Sequence, residues 1–145
     1  MLIGISPLLG PDLLAALYRM GHGDELVLAD AHFPAESVGR RVLRADGLRI
    51  ADLLDGILPL FAVDSYVPDP IVMMAAVDGD RADPAVHERY REAIERCHPG
   101  APQTRFLPRF EFYDRARQAF AVVATGDTAT YANIILKKGV TPHHS

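Results

Sequence analysis

An uninterrupted apolar segment from Ile71 to Val77 is the feature that most limits the folds open to this chain. The segment is bounded by Pro70 and by Asp78-Gly79, and its length is typical of a strand rather than a helix. A strand that is apolar at every position has no face suited to water, so it must be covered on both sides. It is therefore predicted to be a central strand of a sheet with helices on both faces.

Other segments fit that interpretation, because strand-like and helix-like patterns alternate along the chain. Further strands are predicted over Glu25–Ala29, Val42–Leu43, Thr104–Leu107, Phe120–Thr125 and Ile134–Lys137. Helical periodicity predicts helices that begin at Pro11, at Asp52 as a capping residue, at Pro84 and at Phe110. The predicted fold class is α/β, a single three-layer α/β/α domain with a largely parallel or mixed central sheet. This domain is expected to span residues 1–142, followed by a flexible C-terminal tail over residues 143–145.

Composition narrows the classes of function. The chain has 145 residues, enough for one domain with a substantial core, and a net charge of −4. Its basic residues are scattered, which argues against nucleic acid as a partner. The apolar runs are far shorter than a membrane span and no leader pattern opens the chain, so we expect no membrane association and a cytoplasmic location. The single cysteine, Cys97, fits a reducing compartment and is expected to pack in the core.

Two candidate site residues flank the first predicted strand. His22 stands between Gly21 and Gly23, where the backbone can turn sharply and another group can approach the ring, although an ordinary helix-to-strand turn has the same needs. Asp30 follows the strand, where ligands of open α/β sheets commonly bind, although a turn or a helix cap also favours aspartate there. Asp30 with His32 could be metal ligands, but no third ligand completes a recognisable metal-binding pattern.

Several motifs together make the chain resemble the ribose pyranase and fucose mutarotase family over almost its whole length. They are Gly4-Ile5-Ser6-Pro7, Gly21-His22-Gly23-Asp24-Glu25, Asp30-Ala31-His32-Phe33-Pro34, Arg44-Ala45-Asp46-Gly47, Met73-Met74-Ala75-Ala76-Val77, Arg109-Phe110-Glu111-Phe112-Tyr113 and Tyr131-Ala132-Asn133-Ile134-Ile135-Leu136-Lys137-Lys138-Gly139-Val140-Thr141-Pro142. The His-Phe-Pro after Asp30 and the segment that begins at Arg109 are of the L-fucose mutarotase type.

The resemblance implies an isomerase that interconverts the α and β anomers of a free monosaccharide, L-fucose first, without cofactor or metal. It also implies a homo-oligomer, with ring-like decamers common in bacterial members, and sites completed at subunit boundaries. By motif position, His22 would be the catalytic acid/base. The substrate-binding residues would be Asp30, Arg109, Tyr131, Ala132 and Asn133.

The chemistry of mutarotation suits these residue types. The ring hemiacetal opens to the aldehyde and recloses on the other carbonyl face, so one proton leaves the anomeric hydroxyl and another reaches the ring oxygen. Histidine populates both protonation states near neutral pH. The second proton-transfer group stays open between water, the Tyr131 hydroxyl and another sugar-bound side chain. Asp30 could accept two sugar hydroxyls or hold His22 in one tautomer, while Arg109 and Asn133 offer donors.

The same residues also have simpler interpretations. Alone, Arg109 is more often a solvated surface residue, and Tyr131 more often a packing residue. Two other functions stay open: mutarotation of D-ribose or another free sugar, and sugar binding without catalysis on the same fold.

Overall fold

The structure, a computed structural model, describes residues 1–143 of the chain, so the predicted tail lies outside the described residues beyond His143. Six strands form one sheet: β1 (Glu25–Ala29), β2 (Val42–Ala45), β3 (Ile71–Met74), β4 (Arg105–Leu107), β5 (Ala121–Thr125) and β6 (Ile134–Lys137). The helices are α1 (Pro11–Arg19), α2 (Ala35–Val38), α3 (Ile50–Ile57), α4 (Pro84–Cys97) and α5 (Arg109–Gln118), and a 3₁₀ turn at Leu58–Leu60 follows α3.

The sheet is mixed, as predicted, with the strand order β2-β5-β1-β6-β3-β4. Strand β1 runs parallel to β5, β2 parallel to β5, and β3 parallel to β4. Strand β6 is antiparallel to both of its neighbours, β1 and β3. The start of β6 therefore lies at the same end of the sheet, along the strand direction, as the ends of β1 and β3.

Both faces of the sheet are covered, so the fold is a three-layer α/β/α arrangement. Along β1, Leu26 and Leu28 belong to the core beneath α1, α3 and α4, whereas Val27 and Ala29 belong to the core beneath α2 and α5. Strand side chains alternate between faces, so an uninterrupted apolar strand supplies both cores at once. This explains why the chain needs apolar runs rather than alternating patterns in its central strands.

The predictions for β3 and α3 differ from the structure. Strand β3 ends at Met74 rather than Val77, because its ladder with β6 ends at Met73 opposite Ile134 and its ladder with β4 ends at Met74 opposite Leu107. Helix α3 begins at Ile50, so Asp52 lies in its first turn and is not its cap. The N–H of Ile50 instead donates to the Asp127 carboxylate at 3.1 Å.

Helix α5 begins one residue earlier than predicted and therefore includes Arg109. No helix within residues 1–143 is both long and apolar enough to cross a membrane.

Candidate functional site

A pocket of about 270 Å³ opens at the end of the sheet where β1 and β3 end and β6 begins. In mixed or parallel α/β sheets, the chain leaves the core at the carboxyl ends of the strands, and side chains can converge there on a ligand. The pocket is lined by Asp30, His32, Phe33, Met74, Val77, Asp80, Arg109, Tyr113, Thr130, Tyr131 and Asn133. Four of the predicted substrate-binding residues are therefore brought together in one chain.

Asp30 and Asn133 form the buried floor of this pocket. Asp30 is 6% exposed, and its backbone N–H donates to Asn133 Oδ1 at 2.7 Å. The Asp30 carboxylate accepts the backbone N–H of His32 at 3.0 Å. Burial raises the pKa of Asp30, and the hydrogen bonds from the backbone of His32 and Phe33 only partly oppose it. With its oxygen engaged by Asp30, the Asn133 side chain has its amide donors to offer in the pocket.

Tyr131 forms one side of the pocket in an unusual backbone conformation. Its φ of 54° lies in the left-handed region that non-glycine residues rarely adopt. The Tyr131 hydroxyl donates to Asp80 Oδ2 at 2.7 Å and accepts the N–H of Val77 at 3.3 Å. The hydrogen bond from Tyr131 lowers the pKa of Asp80. The loop after β3 is thereby fastened to Tyr131.

Arg109 and Tyr113 approach the pocket from the first two turns of α5. They are four residues apart and so share one face of the helix, where Arg109 Nε donates to the Tyr113 hydroxyl at 3.1 Å. The guanidinium carbon of Arg109 lies 5.4 Å from the centre of the Tyr113 ring. Arg109 is exposed, and its remaining N–H groups are placed to reach a ligand in the pocket.

Ala132 does not line the pocket. It is fully buried, and its carbonyl accepts the hydroxyl of Tyr90 at 2.9 Å. Its predicted contact with a ligand would therefore have to come from its backbone N–H. The structure assigns it a clear internal contact, which holds the turn between its neighbours Tyr131 and Asn133.

His22 and the pocket lie at opposite ends of the sheet along the strand direction. It precedes β1, whereas Asp30 follows β1, and the five intervening strand residues span about 16 Å at about 3.3 Å per residue. The prediction that Asp30 could hold the tautomer of His22 is therefore wrong within a single chain. Asp64 takes that place, with its Oδ1 3.1 Å from His22 Nε2.

The surroundings of His22 combine a buried carboxylate with an exposed ring. The side chain of Asp64 is 2% exposed and that of His22 is 46% exposed. The ring of Tyr66 lies against the imidazole, with 5.2 Å between ring centres. Burial opposes ionisation of Asp64, but hydrogen bonds from the Tyr66 N–H and from His22 outweigh it and lower its pKa.

Sequence reasoning missed several of these residues. Asp64 lies in an irregular segment 42 residues from His22, and nothing local in that segment marks it. Asp80 and Tyr113 were also missed, although Tyr113 stands four residues after Arg109 on a predicted helix, a spacing that indicates a shared face. His32 was considered only as a metal ligand. Within residues 1–143, no group of three or more His, Cys, Asp or Glu side chains is arranged to hold a metal ion.

Three larger clefts, of about 480, 550 and 410 Å³, lie elsewhere on the surface, and the third is lined mainly by apolar residues between Met1 and Leu14. The first contains Arg89, which pairs with Asp55, and Asp127, whose carboxylate accepts the N–H groups of Ile50 and Ala129. The second is lined mainly by apolar and backbone groups around the 3₁₀ turn. None of these three clefts is lined by a predicted site residue, whereas the smaller pocket is lined by four of them, so the smaller pocket is the better candidate site.

The chain is similar to known proteins along nearly its whole length. The model of the RbsD / FucU transport protein family matches residues 3–141. The chain is similar to the fucose mutarotase from Streptococcus pneumoniae solved in complex with L-fucose, at 46% identity and a TM-score of 0.93 over 97% of this chain and 100% of that one. It is also similar to FucU from Bifidobacterium longum, at 43% identity and a TM-score of 0.90 over 96% and 99% of the two chains.

A more distant similarity supports the fold alone. Bacillus subtilis RbsD, solved in complex with D-ribose, aligns with a TM-score of 0.72 at 22% identity over 98% of this chain and 100% of that one. The architecture is thus shared well beyond the range in which the sequences remain close.

Proposed function

The chain belongs to the RbsD / FucU transport protein family, and we propose that it is an L-fucose mutarotase, an isomerase that interconverts the α and β anomers of free L-fucose. Its similarity to the fucose mutarotases of two bacteria, across nearly the full length of each chain, supports this assignment. The reaction changes the configuration of one carbon and consumes no second substrate.

The observation that carries the proposal is the mixed lining of the pocket. Phe33, Met74 and Val77 contribute apolar groups, and Asp30, Arg109 and Asn133 contribute carboxylate, guanidinium and amide groups. L-Fucose is a 6-deoxyhexose, so it has a methyl group at one end of the ring and hydroxyls around the rest. At about 270 Å³, the pocket lies just below the range of about 300–1,000 Å³ that suits drug-sized ligands, a size appropriate to one monosaccharide.

In this proposal the polar residues each bind the sugar in the way that their free groups allow. Asp30 accepts sugar hydroxyls, and Asn133 donates from its amide. Arg109 donates to hydroxyls from the mouth of the pocket. The aromatic face of Tyr131 packs on the ring, because its hydroxyl is already engaged with Asp80. Ala132 contributes through its backbone.

His22 acts as the acid/base in the proposed reaction. The imidazole takes the proton of the anomeric hydroxyl while the bond between C1 and the ring oxygen breaks and leaves its electron pair on that oxygen. A proton returns to the ring oxygen, and the open aldehyde rotates before the steps reverse. Proton loss and gain balance, so the reaction requires no co-reactant.

His22 and the pocket lie at opposite ends of β1, so a complete site requires two copies of the chain. We therefore propose a homo-oligomer in which His22 of one copy meets the pocket of its neighbour. Exposed apolar residues at both places support this arrangement. Tyr66 beside His22 is 73% exposed, Val77 at the pocket is 46% exposed, and Phe110 next to Arg109 is 72% exposed. A ring-like decamer and a cytoplasmic location stay predictions from the sequence; native mass spectrometry measures the first.

Magnetisation exchange between the α and β anomeric protons of L-fucose tests the reaction, with D-ribose run beside it. Wild type is expected to accelerate exchange on L-fucose more than on D-ribose. His22→Ala is expected to lower the rate by about 10²- to 10⁴-fold, the usual contribution of a positioned acid/base. Asp30→Asn is expected to lower kcat/KM by about 10- to 150-fold, since hydrogen bonds to a charged group contribute about 1.5–3 kcal/mol. Absence of acceleration on L-fucose by a folded, assembled wild type would contradict the proposal.

A mixing experiment tests whether two copies share each site. His22→Ala and Asp30→Asn chains are co-expressed with different tags, and mixed oligomers are isolated. If each site takes His22 from one copy and the pocket from another, about one quarter of the sites in an equal, random mixture regain both residues. Activity that stays at the level of the single variants would show instead that each site is built within one chain.

A further inference from the structure

The loop that follows β3 contributes to the wall of the pocket although most of it is exposed. It runs from Ala75 to Asp83, the capping residue of α4. Val77 and Asp80 of this loop line the pocket, and every residue from 77 to 81 is exposed. A segment with so little buried surface gains little stability from packing, so its place depends on its hydrogen bonds.

A single hydroxyl outside the loop provides those hydrogen bonds. The Tyr131 hydroxyl accepts the N–H of Val77 at 3.3 Å and donates to Asp80 Oδ2 at 2.7 Å. Within residues 1–143, no other hydrogen bond joins residues 76–82 to the rest of the chain. A turn brings the two loop partners together, because Asp80 N–H donates to the carbonyl of Val77 at 3.0 Å and Gly79 supplies the φ of 83° that this turn requires.

The carboxylate of Asp80 has both of its oxygens engaged. Oδ2 accepts the Tyr131 hydroxyl, and Oδ1 accepts the N–H of Arg81 at 2.8 Å. These two hydrogen bonds lower the pKa of Asp80, so the group is ionised at neutral pH and acts as an acceptor only. The same contact raises the pKa of Tyr131, so the hydroxyl retains its proton. The contacts of Asp80 are thus with Tyr131 and with its own loop.

This contact joins two walls of the pocket that come from distant parts of the chain. Tyr131 precedes β6, whereas Asp80 follows β3 and lies 51 residues earlier. Both residues line the pocket, as does Val77. If the contact between Asp80 and Tyr131 breaks, only the longer hydrogen bond from Val77 holds the loop beside the pocket. A carboxylate at the tip of the loop therefore controls how firmly one wall of the pocket is closed.

We propose that Asp80 is a positioning residue that closes residues 76–82 against Tyr131 and so sets the affinity of the pocket for the sugar. The proposal rests on the proposed function, in which the sugar ring packs on Tyr131. The sugar binds to the closed arrangement, so the apparent affinity falls in proportion to the closed fraction. Asp80 takes no part in the proton transfers at the anomeric carbon, so its removal affects KM and not kcat.

The test compares three variants in anomer exchange on L-fucose. Asp80→Ala removes the acceptor and is expected to raise KM about 5- to 10-fold while kcat stays within about twofold, since an exposed contact contributes less than a buried charged hydrogen bond. Asp80→Asn retains an acceptor oxygen and is expected to keep KM within about twofold of wild type. Asp78→Ala is the matched control, because it removes the same charge from the same loop but takes no part in the contact. Native mass spectrometry first establishes that each variant assembles like wild type.

A double-mutant cycle with Tyr131→Phe separates positioning from direct binding. Tyr131→Phe retains the ring but removes the hydroxyl and with it both hydrogen bonds to the loop. If Asp80 acts through that hydroxyl, Asp80→Ala raises KM no further in the Tyr131→Phe background. A further rise of about 5- to 10-fold in that background would show that Asp80 binds the sugar itself and would overturn the proposal. A fall in kcat with unchanged KM in Asp80→Ala would also overturn it.

Amide hydrogen exchange over residues 76–82 supplies a readout that does not depend on activity. Exchange is expected to be faster in Asp80→Ala and in Tyr131→Phe than in wild type, because both changes release the loop, and to be unchanged in Asp78→Ala. Equal exchange in wild type, Asp80→Ala and Tyr131→Phe would overturn the proposal. Failure of the proposed function is distinguishable, because a wild type that accelerates no anomer exchange would still show the release of this loop in the two variants.

Discussion

Arg115 on α5 provides the sharpest test of what holds the starts of β1 and β3 together. Its guanidinium donates to Glu25 Oε2 at 2.7 Å and to Asp69 Oδ2 at 3.0 Å, and it also donates to the carbonyl of Asp69 at 3.0 Å. The exposed fractions are 18% for Arg115, 12% for Glu25 and 19% for Asp69. The cluster joins the start of β1 to the chain that leads into β3. Arg115→Met retains the length and helix propensity of the side chain but removes its charge.

The expected loss of stability follows from the carboxylates that remain. Breaking a buried ion pair costs about 3–5 kcal/mol, because the remaining charge is left without a partner. Since all three side chains retain some exposure, we expect a value near the lower limit, about 3 kcal/mol. Unfolding entropies of about 2.1 cal/mol/K per residue then convert this loss into a fall in Tm of about 10 °C for a chain of this length.

Arg117→Met is the matched control, because Arg117 lies on the same helix and pairs with Asp114. That pair is exposed, at 53% and 73%, and its removal is expected to change Tm by less than about 2 °C. Thermal unfolding is followed by circular dichroism at one fixed protein concentration, since Tm of the proposed homo-oligomer would depend on concentration. Equal effects of the two changes would refute the reasoning.

The effect of Arg115→Met should also depend on pH. Burial opposes ionisation of Asp69, but the hydrogen bonds from Arg115 and Arg105 outweigh it and lower its pKa. A carboxyl group whose pKa is lowered by folding stabilises the fold above its unfolded pKa and loses that effect as the pH falls through the folded value. The difference in Tm between wild type and Arg115→Met is therefore expected to be full at pH 7 and to narrow below about pH 3.9. A difference that does not change with pH would contradict this explanation.

Three further changes have clear expected outcomes. Asp30→Asn is expected to raise Tm at pH 7, because burial raises the pKa of Asp30 and the ionised form destabilises the fold; thermal unfolding at pH 3 should show the advantage gone, since both side chains are then neutral. Gly139→Ala is expected to cost about 1–3 kcal/mol in a denaturant titration, because the added Cβ meets the backbone of Asp64. Tyr90→Phe leaves the buried carbonyl of Ala132 without its donor, which is expected to cost about 1–3 kcal/mol in the same titration.

The sequence predicts the strands well where the apolar run and the pairing partner end together. Both β1 and β6 have their predicted bounds, because each is flanked by polar or turn residues at the point where its ladder stops. Strand β3 is shorter than its apolar run, because its partner β6 offers no residue beyond Ile134. An apolar run shows that a segment is buried, but the neighbouring strand determines how much of it is paired.

The residues of the candidate site likewise fall into those that the sequence predicts and those that it does not. Asp30, Tyr131 and Asn133 reach one pocket because β6 is antiparallel to β1, which brings the start of one strand beside the end of the other. Asp64 could not be found, since its contact with His22 depends on an irregular segment that pairs with the end of β6. Side chains placed by strand ends are visible in a sequence, whereas side chains placed by long-range loop pairing are not.

The same strand geometry yields a prediction about dilution. Asp30 and Asn133 lie in one chain, so a dissociated copy retains the pocket. His22 of that copy lies at the other end of β1, far from the pocket. If His22 is the acid/base, dissociation removes catalysis while sugar binding persists. The anomer exchange rate per chain should therefore fall on dilution in step with the loss of oligomer measured by mass photometry. Saturation transfer from dissociated protein to L-fucose should still be detectable. Dissociated copies with the full rate per chain would show that the acid/base lies within the pocket itself, where His32 is the nearest histidine, and His22 would lose its role.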